Sequence, residues 1–145
     1  ALDMCYWSKQ GEGAYKDGKN LPLKTGDQRN TYKIVVSRSH MSDETQAFID
    51  AIDTDKEKEL ISIGSSLKLV MVAEGSADIY PRLAPTMEWD TAAADAIVRE
   101  SGKMTYQYDS TLEISDLKPV IYNKENLLNP WFIVRKIYLF EGVNQ

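Results

Sequence analysis

The sequence predicts an α/β fold: a mixed, mostly parallel sheet covered by helices. Three observations carry that prediction. Strand-like and helix-like segments alternate from Tyr32 onward. The helical stretches carry their own punctuation, with Ser42 before one and Gly75 and Gly102 after two others. Hydrophobic residues make up 43% of the 145-residue chain, enough for a core and too many for a disordered segment.

The opening reads as a hairpin. Leu2, Met4 and Tyr6 alternate with polar or small residues, and Lys16-Asp17-Gly18-Lys19 is a tight-turn signal. A polar loop over 20–31 follows. Tyr32–Val36 is a β-branched run and a strand. Ser42-Asp43-Glu44 opens a helix with an N-cap and acidic residues in the first turn, and Ala47, Phe48, Ala51 and Ile52 share one face. Leu60–Ile63 is a short strand, Ser65–Glu74 a helix stopped by Gly75, and Ala77–Tyr80 a strand ended by Pro81. Asp90 caps a helix over Thr91–Ser101. Residues 104–108 form another strand, and the tail from Val120 to Phe140 is strand-rich but broken at Asn129-Pro130.

Charge and cysteine usage exclude several classes of function. The 17 basic residues face 22 acidic ones, for a formal charge of −5. That balance argues against a polymeric nucleic-acid binder, though a local pair of cations still suffices to hold a phosphate. Cys5 is the lone cysteine, so neither an internal disulfide nor a cysteine zinc site is possible. With nothing basic before it, Cys5 reads as inert packing. No run of about 18 apolar residues is present to span a bilayer, and Ala1-Leu2-Asp3-Met4 lacks the form of a signal peptide. The glycines around Gly11 and Gly13 lack the Gly-Lys-Ser/Thr ending of a phosphate loop.

The most specific segment runs from Gly64-Ser65-Ser66-Leu67-Lys68, through Val72-Ala73-Glu74-Gly75 and Ala77-Asp78-Ile79-Tyr80, to Trp89-Asp90-Thr91-Ala92-Ala93. Its order and spacing resemble the inositol monophosphatase superfamily, which hydrolyses phosphate monoesters with bound Mg2+. Ser37-Arg38-Ser39-His40, Lys68 and Tyr80-Pro81-Arg82 make the resemblance strongest to the CysQ-type 3'(2'),5'-bisphosphate nucleotidases. The resemblance covers essentially the whole chain, including the Gly-Glu-Gly-Ala-Tyr hairpin.

Taken singly, each of these residues has a plainer reading. Asp90 is a common helix cap, Lys68 and Arg82 are surface cations, Tyr80 is packing, and His40 is a solvated loop histidine. The resemblance implies more. Asp90 becomes a metal ligand, in keeping with the hard oxygen donors that Mg2+ prefers. Ser65, Lys68 and Arg82 contact phosphate or ribose, and Ser39, His40 and Tyr80 complete the substrate site, with His40 near the adenosine. The chemistry is coherent, since the unreacted phosphate of a bisphosphate needs cations to hold it. The implied reaction is hydrolysis of adenosine 3',5'-bisphosphate to AMP and phosphate with Mg2+. Inositol monophosphatase or sugar-phosphate phosphatase activity is one alternative, and a non-catalytic nucleotide-binding fragment is another.

In the family, an Asp-Pro-x-Asp-Gly-Thr-like metal motif and a glutamate pair lie before the hairpin. The resemblance therefore implies that this chain is the C-terminal half. Residues 1–28 would be the trailing hairpin of an N-terminal half against which residues 29–145, the C-terminal α/β domain, pack. Only Asp90 of the expected metal ligands is present, so the isolated chain is expected to be inactive or nearly so. A cytoplasmic location is expected, with peripheral attachment to the inner membrane left open. The family commonly has Gly-His where this chain has Ala94-Asp95, which adds a charge to the helix that Asp90 opens.

Overall fold

The computed structural model describes residues 3–23, 29–39 and 41–137. The chain begins with an antiparallel meander of three short strands: β1 (Tyr6–Lys9), β2 (Gly13–Lys16) and β3 (Lys19–Asn20). Asp17 and Gly18 join β2 to β3 with φ of 49° and 80°, the mirror-image turn that matches the twist of paired strands. An earlier reversal, closed by Glu12 N–H donating to the Lys9 carbonyl at 2.9 Å, adds β1 to the expected hairpin. Cys5 is exposed rather than packed; its N–H donates to Asp17 Oδ1 at 2.9 Å.

The main body alternates strands and helices: β4 (Thr31–Val36), α1 (Asp43–Asp50), β5 (Glu57–Ser62), α2 (Leu67–Glu74), β6 (Ile79–Arg82), α3 (Glu88–Glu100) and β7 (Lys103–Gln107), closing with β8 (Phe132–Lys136). The five strands order as β5-β4-β6-β8-β7. β4 is parallel to β5 and β6, while β8 is antiparallel to β6 and β7. β8 alone therefore opposes the others, which is the mixed and mostly parallel α/β sheet the sequence predicts. Pro81 does not end β6, because β4 pairs with β6 at Ile34–Ile79 alone and has no ladder left there to interrupt.

Alternating side chains feed two cores, as the two-residue period of a strand requires. On one face Val35, Tyr80, Phe132 and Val134 meet Leu69, Val72, Ala73 and Val98 of α2 and α3, together with Ala14 and Leu21 of the N-terminal segment. On the other face Ile34, Val36, Ile79 and Ile133 meet Ile49 of α1, Tyr106 and Leu117. Each fully buried aliphatic side chain contributes about 1.5–3 kcal/mol. α1 turns Thr45 and Ile49 inward rather than Ala47 and Ala51. Its Ser42 cap is as expected, with Oγ accepting from Thr45 N–H at 3.2 Å.

The meander is fastened to the helices by two carboxylates. Glu74, at the end of α2, accepts from Tyr6 Oη at 2.7 Å and from Lys16 Nζ at 2.8 Å. Glu100, at the end of α3, accepts from the N–H groups of Gly11 and Gly13, each at 3.0 Å.

Candidate functional site

The chain passes from β4 to β5 on one side, then returns through α2 to β6 on the other side of β4. Loops leaving β4 and β6 part where strand order reverses in this way, and a crevice opens beyond the carboxyl ends of the strands. A cleft of about 520 Å3 lies at this point. It gathers Ser39 after β4, Ser65 and Lys68 around the start of α2, Tyr80 and Arg82 on β6, and Asp90 in the first turn of α3. Six residues singled out from separate stretches of sequence thus line one cavity. His40 lies outside the described residues.

The Gly64-Ser65-Ser66 turn shapes one wall. Ser65 has φ of 63°, a left-handed conformation that costs a non-glycine residue about 1–2 kcal/mol. Ser65 precedes α2 rather than opening it. Ser66 is the N-cap and makes no side-chain capping bond; the N–H groups of Lys68 and Leu69 turn back to the Ser65 and Ser66 carbonyls at 3.4 and 3.1 Å, and the helix start faces the cleft. Such a terminus favours an anion.

Lys68 is 7% exposed, so it is not a surface cation. Its Nζ donates to the Ile63 carbonyl at 3.1 Å and lies 5.8 Å from the centroid of the Tyr80 ring. Burial, and then the nearby charge of Arg82, hold its pKa below that of an ordinary lysine. Arg82 Nη2 reaches the Pro85 carbonyl at 3.4 Å. Its Nε is buried without a hydrogen-bond partner among the described residues, an unmet donor on a cation at the cleft. Tyr80 is 3% exposed and packs edge-to-face on Phe132 at 5.8 Å. Burial pushes its pKa up to about 12 against an opposing effect of Arg82, so the phenol stays a neutral donor.

Asp90 is the third residue of α3, not its cap, because the helix begins two residues earlier at Glu88. Its Oδ2 accepts from Met87 N–H at 2.9 Å, a carboxylate reaching back over an extended N-cap. The residue is exposed and lines the cleft. One hard carboxylate oxygen facing water suits Mg2+, which takes one or two carboxylates with waters and phosphate oxygens. Asp90 fits as one such ligand. Among the described residues no group of three or more His, Cys, Asp or Glu forms a complete metal site.

Asp95 does not add charge to this site. It is wholly buried, accepts from Thr105 Oγ1 at 2.6 Å and Arg99 Nε at 3.0 Å, and belongs to the α3–β7 packing. Ser66, Thr86 and Trp89 also line the cleft; Ser66 and Trp89 stand in the motif segments without an assigned role, and Thr86 stands outside them. Thr86 lies just past the end of β6, where a switch-point crevice recruits residues, but that position requires the strand order, which the sequence does not print.

Residues 1–132 match the profile of the inositol monophosphatase family. The chain is 36% identical over 135 residues to the 3'(2'),5'-bisphosphate nucleotidase CysQ of Salmonella typhimurium, covering 92% of this chain and 50% of that protein. It is 39% identical over 136 residues to the Escherichia coli protein of the same name, with the same coverage. The chain thus spans about half the length of the curated relatives it matches. Among solved structures, CysQ from Bacteroides thetaiotaomicron, described as a bacterial member of the inositol monophosphatase family, superposes with a TM-score of 0.80 at 42% identity, over 92% of this chain and 54% of that one. Inositol monophosphatase-II from Staphylococcus aureus shares the fold with a TM-score of 0.68 at 19% identity, over 92% of this chain and 46% of that one. With its profile matched over nearly the whole length and its mixed α/β sheet superposing on solved members, the chain belongs to the inositol monophosphatase family.

Proposed function

We propose that the full-length protein is a Mg2+-dependent phosphatase that hydrolyses adenosine 3',5'-bisphosphate to AMP and phosphate, and that this chain forms its C-terminal half. The observation that carries the reading is the meeting of two cations, Lys68 and Arg82, with the carboxylate of Asp90 in one cleft. A monophosphate needs charge at one end only. A bisphosphate has a second, unreacted phosphate, which Lys68 as a point charge and Arg82 as a planar fork are suited to hold. The names of the relatives support the same substrate class.

Each residue has a distinct role. Asp90 offers an oxygen to Mg2+, which when bound polarises the phosphoryl oxygens and eases deprotonation of water. Lys68, Arg82 and Ser65, in the turn before α2, orient the nucleotide, and Tyr80 donates from a neutral phenol. Ser39 borders the ribose. Residues 1–28 extend the sheet of an N-terminal half that supplies the other metal ligands. A cytoplasmic setting is kept as an expectation; no described helix is long and apolar enough to cross a membrane.

Phosphate release by the full-length protein, with and without Mg2+, tests this reading. The nucleotide should be preferred over inositol 1-phosphate, and the isolated chain should be silent. Preference for inositol phosphate, or Mg2+-dependent turnover by the isolated chain, overturns it. A second reading is favoured by Asp90 being the one carboxylate on the cleft among the described residues: a domain that binds nucleotide without chemistry. Calorimetric binding by a full-length protein that releases no phosphate would select it.

A further inference from the structure

We infer that Asn129 is a positioning residue for Asp90, acting through the peptide groups of Met87. Asn129 is 4% exposed and does not line the cleft. Its side-chain Nδ2 lies 3.0 Å from the Met87 carbonyl and within 3.1 Å of the hydroxyls of Thr86 and Thr91. The same Met87 carbonyl accepts from Asp90 N–H at 2.9 Å, and Met87 N–H donates to Asp90 Oδ2 at 2.9 Å. Both hydrogen bonds that tie Asp90 to the turn before α3 therefore converge on one residue, and Asn129 holds that residue from behind.

The amide turns its nitrogen toward the Met87 carbonyl. Reversed, its oxygen would meet the Met87 carbonyl oxygen, acceptor against acceptor. The orientation that serves Met87 leaves Oδ1 buried without a partner among the described residues.

The surrounding strap reinforces the grip. Asn129 N–H donates to the Thr86 carbonyl, and Glu88 N–H to the Leu127 carbonyl, each at 2.9 Å. Leu128 forms a bridge with Met87. The Glu88 carboxylate takes the N–H groups of Asn123 and Lys124 at 2.8 and 3.2 Å. Residues 123–129 thereby clasp the turn that presents Trp89 and Asp90 to the cleft. Asn129-Pro130 reads from sequence as a turn before a strand, and the structure gives its amide a further task.

The inference rests on Asp90 as a metal ligand. Groups that orient a metal ligand carry about 10–100-fold in metal affinity. In the full-length protein, Asn129→Leu keeps the size and removes the donors. Mn2+ binding followed by electron paramagnetic resonance should weaken about 10-fold or more, and half-saturating Mg2+ for turnover should rise in step. The KM for nucleotide at saturating Mg2+ should stay within about two-fold, since Asn129 does not line the cleft. Unchanged metal affinity in a folded Asn129→Leu, or an equal effect on KM, overturns the inference. Should that variant fail to fold, the wild-type protein decides. The Asn129 side-chain amide resonances should move with added Mg2+ at the same midpoint as Met87 N–H, and stationary resonances overturn the inference. Mn2+ binding indifferent to Asp90→Asn would remove the metal-ligand reading itself, which separates the two failures.

Discussion

Lys68 lies over the ring of Tyr80, with its Nζ 5.8 Å from the centroid and 3.1 Å from the Ile63 carbonyl. A buried ammonium held by a carbonyl and a ring face is placed rather than mobile, and its charge is costly without an anion. Burial, followed by the charge of Arg82, draws its pKa below the ordinary 10.5. Lys68 is charged below that depressed pKa and neutral above it. The free protein should therefore lose affinity for bisphosphate on an alkaline limb that falls below pH 10.5. Lys68→Arg should remove that limb from the pH profile of kcat/KM, because arginine does not titrate there.

Asp90 combines a structural bond with a proposed ligand role, and one substitution separates them. Asp90→Asn keeps an oxygen for Met87 N–H, so stability should fall by less than about 1 kcal/mol. Mg2+-dependent turnover of the full-length protein should fall by about 100-fold or more. A thermal melt beside a Mg2+ titration checks both. A large loss of stability with little loss of turnover would leave Asp90 only the task of holding the Met87 turn.

Glu74 makes the attachment of the meander sensitive to acid. Burial alone would raise its pKa, but hydrogen bonds from Lys16, Ser76 and Tyr6 together outweigh burial and hold the carboxyl below its usual 4.5. A depressed acid stabilises the fold above its unfolded pKa, and that stability is lost as pH falls through the folded value. Hydrogen exchange over residues 6–20 should therefore quicken below pH 4.5, ahead of exchange in β4 and β6. Glu74→Gln should show the fast pattern already at neutral pH. Uniform exchange in that variant would mean the meander is held by its apolar contacts alone.

Asp95 should be a stability residue. It is buried with Thr105 Oγ1 at 2.6 Å and Arg99 Nη2 at 3.0 Å. Asp95→Ala leaves the buried Thr105 hydroxyl and the partly exposed Arg99 without their carboxylate and should cost about 1–3 kcal/mol, read in a denaturant titration. In the full-length protein, the KM for nucleotide should not change.

Much of this was legible in the sequence because the signals were local. The β-branched run of β4, the Ser42 cap and the Asp17-Gly18 turn each announce themselves within a few residues. β5 was harder. Glu57, Lys58 and Glu59 hide its first half, because an edge strand with solvent on its outer side tolerates charge. The role of Asp95 was not legible, since its partner Thr105 lies ten residues on in another element. Asp90 itself was found through resemblance, but its place as the third helical residue depended on where Met87 turns extended. Asn129 reaches its partners across about forty residues, and no local pattern encodes that.

On the proposed function, this cleft holds the unreacted phosphate of a bisphosphate nucleotide. The most direct test is kcat/KM of the full-length protein for adenosine 3',5'-bisphosphate relative to adenosine 3'-phosphate, measured in the wild type, in Lys68→Met and in Arg82→Lys. A charge-assisted contact to phosphate contributes about 1.5–3 kcal/mol, so each variant should cut the ratio by about 10-fold or more while sparing the monophosphate. A ratio unchanged in both variants, or an equal loss on both substrates, would contradict the claim.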